Sequence, residues 1–521
     1  MQTSLPHEES RTVDTSAVQR LATPPASADS RSWLWLLIAA ALLPFAGGAD
    51  TIALAAWLAP VFLLRFTRTQ TLKVGLPTAY VLLVAAGAFQ SRGMIPIPGV
   101  ALYIFLIVSG ISAIAPYVID CLLSRRLNGL VLTLVFPTAW VAQEYLTSRA
   151  SFGSWGSAAY TQYGNLPLLQ ILSVTGMWGI TFLIGWFAAV CNWFWQAGLE
   201  SKSARRGAWL CVGMIAGVIL LGGARISLFP PSSQTVRVAS ISKRQVMSPN
   251  EALSAAVRKV LSGKATSDDM KAFQGWVTVN NDDLLSRAER EMQAGAKVVF
   301  WGETDAIVTK ENEAAFIAHG ADLAARYHVY LGVAVGVWNT GRSHPLDNKL
   351  ILIRPDGHVA WEYSKTHPVP GSEAAMQYPG DGKLLYLDTP YGRLSSVICF
   401  DADFPRLLAQ AGAFGTDVLL DPANDWREID PIHTQMASFR AIEQGFSLIK
   451  QTSQGLSAAF DYQGRRLAAT DYYQTADYAM ISEVPTRGVR TIYSRLGDWF
   501  TWLCIAGLLL LTTVSFRRRH T

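Results

Sequence analysis

The chain has 521 residues, a net charge of +5, and 50% hydrophobic but only 16% charged residues, against about 25% charged in an ordinary soluble protein. With 17 Trp and a mean hydropathy of +0.22, this excludes a wholly soluble protein. The basic residues flank apolar runs instead of forming a patch, so no nucleic-acid partner is expected.

Residues 1–31 are polar and rich in Ser, Thr, Pro and Ala, and read as a disordered cytoplasmic tail. Seven hydrophobic stretches follow, at 32–48, 51–66, 74–90, 97–123, 129–147, 167–195 and 207–228, and an eighth at 498–516. Each is long enough, or nearly so, for a bilayer crossing of about 20 residues. The positive charges then set the orientation. With the N-terminus inside, the inner segments hold Arg11, Arg20, Arg31, Arg65, Arg68, Lys73, Arg125, Arg126, Lys202, Arg205, Arg206, Arg517, Arg518 and Arg519. The short outer loops hold only Arg92 and Arg149. The polar region 229–497 is therefore expected outside the cytoplasm, with residues 517–521 as an inner basic tail. The aromatic, Gly-rich loop 151–166 on the outer side reads as an interfacial belt or as a rim beside a site.

From Thr235 the pattern alternates strands and helices, which implies a layered α/β fold. Strands are expected at 236–242, 297–301, 329–338, 349–354, 359–363, 394–398, 417–420, 446–452 and 457–462. Helices are expected at 282–293, 311–327, 404–411 and 432–444, while 245–276 reads as an inserted loop with helical pieces.

Five cysteines are present, and Cys399 is the only one outside the apolar stretches. It ends the strand 394–398, and a helix is expected directly after it. Unpaired N–H groups at such a helix start favour a thiolate and hold a developing oxyanion. Thiol acyl-transfer chemistry also needs a base. His367 or His433 fits a Cys–His pair. A second arrangement fits the strand ends: Glu303 follows Trp301, with a pKa that apolar surroundings raise, and Lys365 follows the strand 359–363. Three reactive residues at C-terminal strand ends are expected to converge within one sheet. No zinc-type Cys/His spacing occurs.

The order Glu303, Lys365, Cys399 resembles the Glu-Lys-Cys triad of the nitrilase (carbon–nitrogen hydrolase) superfamily. The surrounding text matches too: Trp301-Gly302-Glu303-Thr304, Lys365-Thr366-His367-Pro368 and Ile398-Cys399-Phe400-Asp401. Asn424-Asp425-Trp426 and the run from Arg440 to Gly445 are similar to its late motifs. The span plan is similar to the superfamily's membrane-embedded apolipoprotein N-acyltransferase family. That resemblance implies a multi-span helical membrane domain with a nitrilase-like αββα sandwich in the periplasm of a bacterial inner membrane. It implies that Cys399 takes an acyl chain from a phospholipid such as phosphatidylethanolamine and passes it, as a thioester, to the amine of a diacylglyceryl-cysteine lipoprotein. Glu303 would be the base. Lys365 and the Phe400 N–H would hold the oxyanion. Glu373 and Asn348 would support the site, and Asp401 would orient Lys365. No cofactor or metal is implied, and a monomer is expected.

Departures lie on the substrate side. Gly371-Ser372 stands where the family has Phe-Gly, Asp401 where it has Glu, and Trp276 is the candidate for a missing aromatic contact. These keep open a membrane-anchored amidase, another amine acceptor, or an inactive scaffold. The loops 151–166 and 366–392 are candidate gates.

Overall fold

The computed structural model describes residues 31–339 and 342–517. The expected tails at 1–31 and 517–521 lie outside the described residues except for Arg31 and Arg517. Among those described, six helices are long and apolar enough to cross a membrane, at 72–90, 100–126, 129–147, 178–197, 202–228 and 499–517. The first two expected spans are shorter. Ser32–Leu42 continues only to Phe45 through a 3-10 turn, and Ala53–Thr69 carries Arg65 and Arg68 in its last turns. They pack on each other through Ala39, Leu43, Leu63 and Phe66.

The sixth expected span is not one helix. Residues 166–175 form two short turns, Leu166–Leu169 and Leu172–Thr175, and the long helix is Trp178–Ala197. Gly176 makes the break at φ +66, a conformation that suits glycine, and a Cβ there would meet the Tyr493 ring at 2.5 Å. Trp178–Ala197 is the most enclosed of the six, whereas Leu72–Gln90, Val100–Leu123 and Lys202–Leu228 expose apolar faces, as lipid-facing helices do. Inside the bundle, Arg68 donates two hydrogen bonds to Asp120, at 2.8 and 2.7 Å. Paired charges of this kind are the form in which ionised groups persist at membrane depth.

The region after Phe229 is a two-sheet sandwich. One sheet contains β1 (Thr235–Ile241), β2 (Val298–Trp301), β4 (Tyr330–Trp338), β5 (Leu346–Ile353), β6 (Val359–Ser364) and β13 (Ala479–Pro485), in the order β13-β1-β2-β4-β5-β6, with β3 (Ala306–Thr309) also on β4. The other contains β7 (Tyr386–Thr389), β8 (Gly392–Ser396), β9 (Val418–Asn424), β10 (Ser447–Ser453), β11 (Leu456–Phe460) and β12 (Arg466–Asp471), in reverse order from β12 to β7. Their inner faces share one apolar core. Helices Ser267–Gln293 and Glu313–Tyr327 cover the first sheet, and Pro405–Phe414 and Ile432–Gln444 the second. This is the expected αββα architecture.

The segment 245–276 is more regular than expected. It holds helix Glu251–Leu261 and the start of a helix that runs Ser267–Gln293, not from Asp282. A capping box of Thr266 and Asp269 fixes that earlier start, because each side chain satisfies an amide the helix leaves open. Strands β3, β7, β12 and β13 were not expected from the sequence. Three of them are edge strands or carry polar residues at alternate positions, which weakens an apolar signature.

Sandwich and bundle are joined by polar contacts from buried groups. Ser154 donates its N–H and hydroxyl to the Asp403 carbonyl (2.8 and 2.7 Å). The Met177 N–H donates to Glu443 (2.8 Å), and the Trp178 indole to Asp498 (3.0 Å). Gln170 donates to the Gln463 carbonyl (3.0 Å). Beside them Gly222 lies so close that a Cβ would stand 1.9 Å from the Pro167 carbonyl oxygen. Gly222→Ala should therefore lever Lys202–Leu228 off the 166–169 turn and cost about 1–3 kcal/mol, read as a lowered melting temperature in detergent. An unchanged melt would show that this contact yields freely.

Candidate active site

Glu303 stands just beyond β2, and its backbone N–H donates to the Ala423 carbonyl of β9 (3.2 Å), in the other sheet. Lys365 follows β6 and donates its own N–H to the Asn348 carbonyl of β5 (3.0 Å). Cys399 follows β8 and is buried. The site thus lies between the sheets. Glu303 and Lys365 come from the first and Cys399 from the second, which corrects the expectation of a single sheet.

The side chains form one charged cluster. Lys365 Nζ donates to Glu303 Oε1 (2.7 Å) and to Glu373 Oε2 (2.6 Å). Asn348 Nδ2 donates to the same Glu303 oxygen (2.6 Å), and the Asn424 N–H to Oε2 (3.1 Å). Glu373 also accepts from Gln377 (2.9 Å) and the Val369 N–H (3.0 Å). Burial raises the Glu303 pKa above the usual carboxylate range; Lys365 opposes this and Glu373 adds to it. Burial works against charge on Lys365, but Glu303, Glu373 and Cys399 outweigh it and hold its pKa well up. Burial, helped by the Glu303 charge, pushes the Cys399 thiol well up, with Lys365 and Lys450 opposing. The resting thiol therefore keeps its proton, and a raised carboxylate stands in the same cluster to take it.

Cys399 is not at the start of an α-helix. It opens a 3-10 turn, Cys399–Asp403, and the α-helix begins at Pro405. Its φ is +53, a strained backbone for a non-glycine residue. Its N–H is occupied by Asp421 Oδ1 (2.8 Å) and the Asp401 N–H by the Ile398 carbonyl (3.1 Å), which leaves the Phe400 N–H between them for an oxyanion. Asp401 does not reach Lys365. It accepts from the Tyr363 hydroxyl (2.7 Å), the His367 N–H (2.8 Å) and His367 Nδ1 (3.0 Å), and so holds the chain just after Lys365.

An apolar cavity opens on the thiol. Cys399, Phe400, Val369, Trp426, Ile429 and His433 line it from the sandwich, and Met94, Ile95, Pro96, Phe152 and Trp155 from the outer loops of the bundle. Both candidate gate segments contribute a wall. Trp276 is not among the lining residues; its indole donates to the Met247 carbonyl (2.7 Å).

Neither candidate histidine bonds the thiol. His367 stacks on Phe404, with ring centroids 3.5 Å apart. His433 Nδ1 bonds Asp425 Oδ1 (2.6 Å), and that oxygen lies 3.9 Å from Cys399 Sγ. Cys399, Asp425 and His433 place donor atoms within 4.8 Å of one another. They suit a dication poorly. The shared oxygen serves the imidazole, and the Lys365 and Lys450 ammonium groups both act on the thiol. Asp421 and Lys450, paired at 3.3 Å under Cys399, had no role in the sequence reading. The one signal was a lysine inside the apolar run 446–450.

Two family models match the chain. The carbon-nitrogen hydrolase model covers residues 263–487, and the apolipoprotein N-acyltransferase N-terminal domain covers residues 36–190. The chain belongs to the apolipoprotein N-acyltransferase family. It is 27% identical over 442 residues to the apolipoprotein N-acyltransferase of Geobacter metallireducens, covering 78% of this chain and 79% of that one. It is 24% identical over 417 residues to apolipoprotein N-acyltransferase 2 of Treponema pallidum, covering 71% and 73%. Among solved structures, an amidase of the nitrilase superfamily from Nesterenkonia is 17% identical, with a TM-score of 0.39, over 49% of this chain and 92% of that one.

The Glu303 pKa direction sets a pH dependence. Below its raised pKa the carboxyl is protonated and the thiol has no acceptor, so alkylation of Cys399 by iodoacetamide should rise with pH as Glu303 ionises and then level off. In Glu303→Gln, labelling at pH 7 should drop about 100-fold and recover only at alkaline pH, where the thiol ionises unaided. Equal rates in both proteins would remove Glu303 as the base.

Proposed function

We propose that the protein transfers an acyl chain from a phospholipid to the α-amine of a diacylglyceryl-cysteine at the N-terminus of lipoproteins. The observation that carries this reading is the buried Glu303–Lys365 pair beside Cys399, under a cavity walled jointly by the sandwich and the outer loops of the membrane bundle. A soluble amide substrate has no need of a wall built from membrane hairpins. A lipid ester does, because its chains stay in the bilayer while its carbonyl reaches the thiol.

In the first step Glu303 takes the Cys399 proton and the thiolate attacks the sn-1 ester carbonyl, with phosphatidylethanolamine as the proposed donor. Lys365 and the Phe400 N–H hold the oxyanion. The ester C–O bond breaks, the proton on Glu303 passes to the leaving oxygen, and a lysophospholipid departs. In the second step the lipoprotein amine attacks the thioester, the C–S bond breaks, and the amide leaves. Glu373 fixes Lys365, Asn348 fixes Glu303, and Asp401 fixes the chain beyond Lys365. The thioester retains the reactivity of the ester, so neither step calls for a cofactor.

Charge distribution supports a periplasmic sandwich. Arg65, Arg68 and Lys73, then Arg125 and Arg126, then Lys202, Arg205 and Arg206, and finally Arg517 all mark one end of the bundle, and such residues collect on the cytoplasmic face. One copy carries every residue used here, in keeping with a monomer.

Incubation of purified protein with phosphatidylethanolamine and no acceptor should add the mass of one acyl chain, removable by hydroxylamine and absent in Cys399→Ala. A diacylglyceryl-cysteine peptide should then discharge it. No adduct from any phospholipid, or release of free fatty acid alone, would defeat the reading. For orientation, His358→Cys should react with a membrane-impermeant maleimide in intact spheroplasts, and Leu199→Cys only after lysis. The reverse pattern would overturn the periplasmic placement.

A further inference from the structure

One buried ion pair under the thiol has no part in the mechanism above. Asp421 on β9 and Lys450 on β10 stand opposite each other in register, and both side chains are fully buried. Lys450 Nζ donates to Asp421 Oδ2 (3.3 Å), and the Cys399 N–H donates to Asp421 Oδ1 (2.8 Å). Replacing a buried pair by apolar side chains of similar size is often neutral or stabilising, so packing gives no reason to keep this one. The reason lies in the backbone it holds.

Strand β8 runs parallel to β9 with Ser396 opposite Leu420, and the Val397 N–H donates to the Leu420 carbonyl (3.1 Å). The next β9 amide in such a ladder belongs to Pro422, which has no N–H to give. Strand β8 leaves the sheet at this point. Two residues on, Cys399 sits at φ +53, a left-handed backbone that a residue with a side chain keeps only when its surroundings hold it there. The Asp421 side chain supplies that hold, taking the Cys399 N–H in place of a ladder carbonyl. Around it, the Ile398 N–H goes to Asp401 Oδ2 (3.3 Å) and the Asp401 N–H to the Ile398 carbonyl (3.1 Å). The Phe400 N–H is the amide left, in a residue that lines the cavity with Cys399.

A carboxylate suits this post because both of its oxygens accept. With Lys450 on Oδ2, Oδ1 is fixed on the Cys399 N–H. A lone amide side chain would set its NH2 against one of these two donors. Burial works against the charge on Lys450, but Asp421, then Asp425, Cys399 and Asp403, outweigh it.

We propose that Asp421 and Lys450 are the positioning residues of the nucleophile turn: Lys450 fixes Asp421, Asp421 holds the Cys399 N–H, and the turn so held gives the Phe400 N–H to the oxyanion. Neither residue touches the substrate. As the thiolate attacks, the carbonyl π pair moves onto oxygen, which then accepts from the Phe400 N–H and Lys365. As the ester C–O bond breaks, that pair returns and the leaving oxygen takes the bonding pair with it.

Two reactions of Cys399 in the full-length protein test this. Alkylation by iodoacetamide needs the thiolate but develops no oxyanion, whereas acylation by phosphatidylethanolamine needs both. Their rate ratio therefore cancels any change in thiol ionisation and reads the oxyanion site. Asp421→Leu combined with Lys450→Met removes the pair without leaving a lone charge, and removes the acceptor for the Cys399 N–H. Its acylation-to-alkylation ratio should fall about 100-fold. Asp421→Asn combined with Lys450→Gln is equally uncharged, but its side-chain carbonyl can accept from Cys399 while its NH2 donates to the new glutamine. That second double variant should recover most of the ratio. An unchanged ratio in the first double variant, or a ratio as low in the second as in the first, would overturn the proposal. If the first does not fold, Asp421→Asn alone takes its place with the same expected fall. The inference rests on the acyl-transfer reading for its lipid donor. If the wild type forms no thioester with phosphatidylethanolamine, that reading has failed, and the ratios are measured with p-nitrophenyl butyrate, an ester that also passes through an oxyanion.

Discussion

The site depends on one buried ammonium, Lys365, held between the buried Glu303 and the partly exposed Glu373. Lys365 bonds Glu303 and Glu373 at once. Burying Lys365 or Glu303 alone would be prohibitive, because desolvation of an unpaired ion exceeds what a fold can spare. With both carboxylates ionised the three leave one net negative charge, and burial sets that charge against Glu303 more than against Glu373. Asn348, Gln377 and the amides of Asn424 and Val369 all serve this arrangement. The Asn424 N–H fills the Glu303 oxygen that Lys365 leaves open, and the others add a second or third donor to the oxygens Lys365 already bonds, so the cluster is rigid before any lipid enters.

The arrangement also explains why two sheets are needed. A single sheet presents its strand ends in a row, whereas here Glu303 and Cys399 must face each other. The hydrogen bond from Glu303 N–H to the Ala423 carbonyl ties the sheets at the point where Glu303 and Cys399 come together. The bundle then closes the remaining side. Ser154 grips the Asp403 carbonyl, Trp426 reaches the Gly93 carbonyl, and the cavity between them is apolar. Chemistry that needs separated charge and a substrate that needs an oily path thus share one boundary.

Much of this was legible in the residues. Long apolar runs and strand–helix alternation carry their own periodicity, and Glu303, Lys365 and Cys399 stood at strand ends. What failed did so for physical reasons. The break at Gly176 is hidden because apolar content alone sets a hydropathy window, whatever its backbone does. Which sheet a strand joins depends on pairing across long separations, which no local pattern records. No sequence pattern marked Asp403, which is buried where the 151–156 loop docks on it through Ser154. The left-handed backbone at Cys399 has no local signature at all.

The pairing of β1 with β13 has a consequence for how the molecule is made. Val236 lies opposite Val484, so the first strand of the sandwich waits for the last before its sheet is complete. The closing helix Trp499–Arg517 begins only a short way beyond β13. By then the earlier helices have left the ribosome. Closure of the sheet and entry of the final helix into the bilayer therefore fall in the same interval of synthesis. A nascent chain arrested just before β13 would hold a site with all its reacting residues and no completed scaffold to keep them apart from water.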